Sequence, residues 1–354
     1  MGTDSGWPTL NDVLMSEGGD GGSDAPHRVA LDAAAQAFVV AARTRPLVTA
    51  ESVDAQRSAF VEMQRQNPST PVPLLAERWV TVKTADHGCV RVRIVAPTQP
   101  AGPLAAVLYL HGGGWVTGDA QTHDRIVREL ALRTGAAVIF PEYTRAPEAR
   151  YPVAAEQAYE TALWIVSHGA GHGLDPTRVA VAGDSEGANL ALAAVLMDLQ
   201  RNVIQFRQLV LFTPVTDADF STESYRMFAQ GYGLRRDAMQ WYWDQYAPTP
   251  ADREQATVSP LRADTADLAR FPPSLIITAE ADVVRDEGEA LAQRLRAVGA
   301  ASAAVRYEGT IHDFVVLADL QHSGAAKAAT AQAASSLLDA LDDPGDRRLP
   351  PFKP

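Results

Sequence analysis

The chain has 354 residues, a formal net charge of −12 and a hydrophobic content of 46%. This length allows one large domain with a full core, and the acidic balance argues against nucleic acid or anionic membrane surfaces as partners. No stretch is apolar for long enough to cross a bilayer, and the first residues lack the basic and apolar regions of a secretory signal. The one cysteine, Cys89, cannot form an internal disulfide and is compatible with a reducing compartment. We therefore expect a cytoplasmic protein without integral membrane contact or nucleic-acid partner, with Cys89 packed in a strand.

The first 75 residues divide into two segments. Residues 1–25 are rich in Gly, Ser and Asp, which predicts a flexible N-terminal segment. Residues 26–75 differ, because apolar residues recur at helical spacing around 29–42 and again from Ser52 to Gln64. We expect two amphipathic helices there.

The remainder, 76–354, has the pattern of one α/β domain. Two alternating runs, at 79–84 and 90–95, flank the turn-forming residues Asp86-His87-Gly88 and predict a hairpin. Apolar strands then alternate with helices: strands at 105–110, 136–140, 179–182, 209–212, 274–278 and 303–307, and helices at 122–134, 153–168, 187–199, 286–298 and 325–341. The alternation predicts an α/β fold with a doubly wound, mostly parallel sheet.

An aromatic-rich insertion at about 217–250 interrupts this alternation. It follows the end of a strand, where ligands bind in such sheets, and is therefore a candidate lid. We expect most of its aromatic residues to pack the insertion onto the body. Tyr225, Phe228 and Tyr232, which have near-helical spacing, are expected to line the substrate pocket together with Trp115.

Two glycine-rich motifs carry the chemistry. His111-Gly112-Gly113-Gly114-Trp115 follows the strand at 105–110, and Gly183-Asp184-Ser185-Glu186-Gly187 joins a strand to a helix. Ser185 on such a tight turn is a candidate nucleophile, and the alternative is a serine that only caps the helix. Backbone N–H groups of Gly113, Gly114 and Glu186 are candidate oxyanion-hole donors. A phosphate loop is a poorer explanation of the glycines, because no Lys-Ser/Thr follows them.

A serine nucleophile needs a histidine base and a carboxylate to orient it. Asp282 follows the strand at 274–278 and His312 follows the strand at 303–307, in the chain order Ser, Asp, His. We assign His312 as the base and Asp282 as its partner. The other histidines are expected to be solvated or to pack, and the rival acids are Glu280, Asp286 and Asp313.

With these motifs the chain resembles the bacterial hormone-sensitive-lipase family of α/β-hydrolases over about residues 78–341. The residues that carry the resemblance are 111–115, 183–187, 282–288 and 311–314. The resemblance implies a helical cap built from the N-terminal helices and the 217–250 insertion. It also implies carboxylesterase activity on short-to-medium acyl esters, without cofactor or metal, and a structural brace at 143–148.

Three positions depart from that family. Glu186 stands where the family usually has Ala, Asp313 where Gly is frequent, and Val283 where Pro is frequent. We expect the Glu186 side chain to point outward, because acidic residues suit the first turn of a helix.

Several alternatives stay open at this stage. The same scaffold can support a lactone or amide hydrolase, or a non-hydrolytic biosynthetic enzyme such as a dehydratase or cyclase. A ligand-binding module with an idle serine is disfavoured, since binding does not require Ser185, Asp282 and His312 together. An exposed edge strand would allow a homodimer.

Overall fold

The computed structural model describes residues 29–43, 52–65 and 75–342, and the predicted flexible segment 1–25 lies outside them. Within the described residues, eight strands form one sheet in the order β1-β2-β4-β3-β5-β6-β7-β8. The strands are β1 Leu75–Lys83, β2 Cys89–Pro97, β3 Leu104–Leu110, β4 Ala137–Glu142, β5 Leu174–Asp184, β6 Phe206–Phe212, β7 Ser274–Ala281 and β8 Ser302–Ile311. Pairing is antiparallel from β1 through β2 to β4 and parallel from β4 to β8. The predicted hairpin and the mostly parallel sheet are confirmed.

Helices connect the parallel strands, as the alternation predicts. The α-helices of the described residues are α1 Ala33–Ala42, α2 Val53–Met63, α3 Asp124–Thr134, α4 Val153–His168, α5 Ser185–Arg201, α6 Glu223–Met227, α7 Arg236–Tyr246, α8 Pro250–Arg253, α9 Thr265–Leu268, α10 Arg285–Ala297 and α11 Gly324–Asp342. Helix α4 has the predicted bounds. Strand β5 begins five residues before the predicted 179–182, because Leu174 already pairs with Leu104 although polar residues follow it.

The core lies on both faces of the central strands. Residues 105–110 of β3 are buried without interruption, as expected for a strand covered by helices on both sides. Strand β2 instead begins with alternating exposure, so Val90 and Val92 face inward and Cys89 faces outward. The prediction that Cys89 is packed is therefore wrong: its thiol is exposed, because the first position of the strand falls on the uncovered face of the hairpin.

Helix α2 is fastened to the body by two of its polar side chains, Gln64 and Arg57. The Gln64 amide donates to the carbonyls of Thr122 (3.2 Å) and Val316 (3.0 Å), and its oxygen accepts from the Ala318 N–H. About two turns earlier along α2, Arg57 forms a bidentate ion pair with Glu148, at 2.7 and 2.8 Å. These bonds hold α2 over the carboxyl ends of the parallel strands.

The insertion between β6 and β7 contains α6 and α7, and it is anchored by stacked aromatic rings. The rings of Trp115 and Tyr246 are nearly parallel with centroids 4.3 Å apart, and Trp243 meets Trp115 edge-on at 5.0 Å. All three side chains are buried. The glycine loop after β3 and helix α7 are therefore packed as one unit.

Candidate active site

The nucleophile turn is built by two close backbone approaches. Ser185 is the first residue of α5 and has φ 52°, a left-handed conformation that is rare for a side-chain-bearing residue. A Cβ on Gly183 would lie 2.5 Å from the Gly187 carbonyl carbon, and a Cβ on Gly187 would overlap the Leu110 carbonyl oxygen. The turn therefore requires glycine on both sides of the serine, as its sequence predicts.

The structure brings Ser185, His312 and Asp282 together at the carboxyl ends of β5, β8 and β7. The Ser185 Oγ and the His312 Nε2 are 2.7 Å apart, and the His312 Nδ1 is 2.8 Å from the Asp282 Oδ2. The other Asp282 oxygen accepts from the Val284 N–H at 3.1 Å. All three side chains are buried. This chain of hydrogen bonds can move a proton from the serine hydroxyl to the imidazole while the carboxylate holds the ring.

The electrostatic surroundings favour the charged imidazolium. Burial alone would lower the pKa of His312, but the carboxylates of Asp282 and Asp313 outweigh it and raise that pKa to about 10. The Asp313 Oδ1 lies 3.5 Å from the His312 Nε2, the nitrogen that also faces Ser185. Burial in turn raises the pKa of Asp313 to about 7, and the nearby Asp184 and Glu186 carboxylates add to this effect although His312 opposes it.

The backbone N–H groups of Gly113 and Gly114, two of the three expected oxyanion-hole donors, are occupied by a side chain of the protein. The Glu186 Oε2 accepts from the Gly114 N–H at 2.7 Å and from the Gly113 N–H at 3.2 Å. The prediction that this side chain points outward is wrong: Glu186 is only 2% exposed. The reason is tertiary, because the glycine loop after β3 offers two unpaired N–H groups to the first turn of α5.

A buried polar network holds the glycine loop from behind, and sequence reasoning gave it no role. The Asp184 carboxylate accepts from the Gly112 N–H at 3.0 Å and from the Tyr109 hydroxyl at 2.7 Å, and it lies 3.2 Å from the His123 Nε2. The His123–Asp184 pair is fully buried. The position of Asp184 beside the nucleophile was the only signal in the sequence, since His123 has no local pattern.

A cavity of about 850 Å³ opens above Ser185, and its lining differs from the prediction. None of Trp115, Tyr225, Phe228 and Tyr232 lines it. Trp115 is stacked on Tyr246, Tyr225 and Phe228 are fully buried, and Tyr232 lies edge-on against Phe228, so these four assignments are wrong. The aromatic ring that reaches the cavity from the insertion is Tyr242, which lies against Gly114.

Helices α1 and α2 supply much of the apolar wall of this cavity. The apolar lining residues are Phe38, Val39, Ala42, Ala59, Phe60, Met63, Leu234, Ala238, Ile311 and Leu317. Apolar walls around a few polar groups are typical of small-molecule sites, and the volume lies within their usual range.

A nucleophile turn, a glycine loop and a buried histidine–carboxylate pair at one edge of a parallel sheet define the serine hydrolases of the α/β-hydrolase class. Comparison with known proteins agrees with this class. A sequence profile described as the α/β hydrolase fold matches residues 107–316, and the chain belongs to this family. The predicted resemblance to its hormone-sensitive-lipase branch is confirmed.

Similar proteins are named as esterases. An esterase of Gibberella moniliformis is 39% identical over 243 residues, which cover 68% of this chain and 76% of that protein. An ethyl acetate hydrolase of Pseudomonas putida is 37% identical and covers 67% of this chain and 74% of its own length. The crystal structure of a thermostable esterase from Pseudomonas putida matches with a TM-score of 0.85 at 37% identity, covering 89% of this chain and 98% of that one. The chain is accordingly a serine ester hydrolase.

No helix in the described part of the chain is both long enough and apolar enough to span a membrane.

Proposed function

We propose that the protein hydrolyses short-to-medium acyl esters through an acyl-enzyme on Ser185, with His312 as the base and Asp282 as its partner. The observation that carries this proposal is the chain of hydrogen bonds from Ser185 to His312 (2.7 Å) and from His312 to Asp282 (2.8 Å). A serine that only caps a helix does not need a buried histidine–carboxylate pair at its hydroxyl.

Acylation begins when the Ser185 Oγ attacks the ester carbonyl carbon and its proton passes to the His312 Nε2. The carbonyl oxygen becomes an oxyanion, which the N–H groups of Gly113, Gly114 and Glu186 would stabilise. The tetrahedral intermediate then collapses, the bond to the alcohol oxygen breaks, and His312 returns the proton to the leaving alcohol. Asp282 stabilises the imidazolium throughout.

Deacylation repeats the same steps with water. His312 takes a proton from the water, whose oxygen attacks the acyl-enzyme carbonyl, and then returns that proton to the Ser185 oxygen as the carboxylic acid leaves. The enzyme is regenerated without any group beyond these side chains and the backbone donors.

The shape of the cavity supports the substrate range. Its volume of about 850 Å³ accommodates esters of modest size, and the mostly apolar wall from α1 and α2 suits an alkyl chain. Ser185 is only 1% exposed, so the ester must enter the cavity before it can react.

The test is hydrolysis of p-nitrophenyl acetate, butyrate and octanoate, combined with labelling by a fluorophosphonate. Ser185→Ala should lower turnover by at least about a thousandfold and abolish labelling. Ser167→Ala is a matched control, because Ser167 also contacts a histidine, His168, at 2.7 Å, but on an exposed helix end. Turnover retained by Ser185→Ala would refute the proposal, and labelling without turnover of any ester would favour the non-hydrolytic alternative.

Two further expectations stay proposals. A cytoplasmic location is supported by the single cysteine, and fractionation with an antibody to the protein tests it. A homodimer is supported by the edge strands β1 and β8 of the described sheet, and light scattering of the purified protein tests it.

A further inference from the structure

The Glu186 carboxylate occupies the position in which the proposed reaction would form its oxyanion. A single oxygen, Oε2, accepts from both Gly113 and Gly114, at 3.2 and 2.7 Å, next to the nucleophile. Two backbone donors converging on one negatively charged oxygen is the arrangement that stabilises a tetrahedral intermediate. An ester carbonyl oxygen can enter this position only after Glu186 has left it.

The Glu186 carboxylate is held by backbone N–H donors and not by a lysine or an arginine. Among the residues that the structure describes, no lysine or arginine forms an ion pair with Glu186. Its present position compensates the burial of its charge, through two N–H donors and the N-terminus of the 17-residue helix α5. Away from those donors, it would share the cavity with Asp313 and with the developing oxyanion.

The arginines on the cavity wall do not compensate the negative charge of a displaced Glu186 carboxylate. Of the two arginines in the lining, Arg235 is already paired with Asp237 at 2.6 Å. The other, Arg43, lies at the end of α1 and shares the lining with four carboxylates, those of Glu62, Glu186, Asp237 and Asp313. The carboxylates of Asp282, Asp313 and Glu186 together raise the pKa of His312 to about 10. This raised pKa reflects the negative electrostatic potential at this end of the cavity.

An ester that carries a positive charge can supply the partner that the displaced Glu186 carboxylate lacks. A cationic nitrogen within a few bonds of the reacting carbonyl can pair with the displaced Glu186 and offset the repulsion between that carboxylate and the oxyanion. A neutral ester of the same shape leaves a buried carboxylate unpaired. We propose that Glu186 determines specificity, favouring esters with a positively charged nitrogen near the carbonyl over neutral esters of equal size. This inference rests on the proposed ester hydrolysis by Ser185.

The test compares butyrylcholine with 3,3-dimethylbutyl butyrate, in which a carbon replaces the charged nitrogen. For the wild type, kcat/KM should be at least about tenfold higher for the choline ester. Glu186→Ala should raise kcat/KM for the neutral ester by about 10- to 100-fold and bring the ratio of the two esters close to one. Glu186→Gln keeps an oxygen that can accept from the glycine N–H groups but removes the charge, so the ratio should fall with a smaller gain on the neutral ester.

The matched control is Glu62→Gln, which removes a carboxylate from the lining of the same cavity at an exposed position on α2. It should leave the ratio unchanged. Thermal unfolding of each variant shows whether the fold is intact. The rate of labelling by a neutral fluorophosphonate gives a second readout that needs no ester turnover, because the phosphoryl oxygen must also displace Glu186. That rate should rise at least about tenfold in Glu186→Ala.

Two results would overturn the inference: an unchanged ester ratio in folded Glu186→Ala, or a labelling rate no faster than that of the wild type. Failure of the proposed function would look different, because hydrolysis of both esters would then survive in Ser185→Ala.

Discussion

Asp313 is expected to hold the catalytic histidine in its protonated form. It follows His312 directly, has φ 56°, and accepts from the Thr213 hydroxyl at 3.3 Å. Asn is the natural replacement, because it tolerates this left-handed conformation and its amide oxygen can accept the same hydrogen bond. The substitution Asp313→Asn therefore removes a charge beside His312 with little change of shape.

The size of the effect follows from the geometry. The Asp313 Oδ1 and the His312 Nε2 are 3.5 Å apart. At an effective dielectric constant of about 20, two unit charges at this separation attract by about 5 kcal/mol, or more than three pKa units. Because the pKa of Asp313 is itself raised to about 7, the carboxyl is charged for only part of the working pH range, which reduces the effect. We expect Asp313→Asn to lower the pKa of His312 by about 1 to 3 units.

The assay is the pH dependence of kcat/KM for p-nitrophenyl butyrate, corrected with Ser185→Ala for background hydrolysis. Only neutral His312 can accept the serine proton, and kcat/KM reports the pKa of the free enzyme. With that pKa raised to about 10, wild-type activity should keep rising through the alkaline range. In the variant the rise should come at lower pH, giving about tenfold or greater activity near pH 8. Below pH 7, where Asp313 takes up a proton, the two profiles should converge.

The control is Asp237→Asn, which neutralises a carboxylate elsewhere on the cavity wall, where it is paired with Arg235. Its profile should match that of the wild type. The reasoning is refuted if the activity rise in Asp313→Asn stays at the wild-type pH or moves to higher pH, since removal of a neighbouring negative charge can only destabilise the imidazolium.

Two further predictions concern stability. Gly187→Ala should reduce the free energy of unfolding by more than about 3 kcal/mol in urea titration, because the added Cβ would overlap the Leu110 carbonyl oxygen. The control is Gly324→Ala, where the added Cβ would lie in open space. Equal losses of stability in the two variants would contradict the steric argument. Burial raises the pKa of Glu287 well above that of a free carboxyl group. The Glu287 side chain therefore favours folding at pH values below its unfolded pKa of about 4.3, and this contribution is lost as the pH rises towards its folded pKa. Glu287→Gln should therefore raise Tm by about 2–4 °C at pH 8 and by less at pH 5, as measured by calorimetry; a larger gain at pH 5 would contradict this sign.

The parts of this protein that depend on local pattern can be predicted from the order of its residues. Continuous apolar runs predict buried parallel strands, and helical spacing gave α4 its bounds. The glycines around Ser185, followed by Asp282 and His312 at later strand ends, were sufficient to predict the site. A strand end is recognisable locally, and parallel strands carry their carboxyl ends to the same edge of the sheet.

The directions of individual side chains, in contrast, depend on how distant segments pack together. Glu186 lies in the first turn of a helix, where an acidic side chain is expected to face solvent. It points inward instead, because the loop after β3 presents two N–H groups to it. Trp115 and Tyr225 are aromatic residues suited to a pocket, yet they are buried away from it, and Tyr242 reaches the cavity instead. The direction of a side chain depends on neighbours that lie far away in the chain, and those neighbours exist only once the sheet, the insertion and the N-terminal helices have packed together.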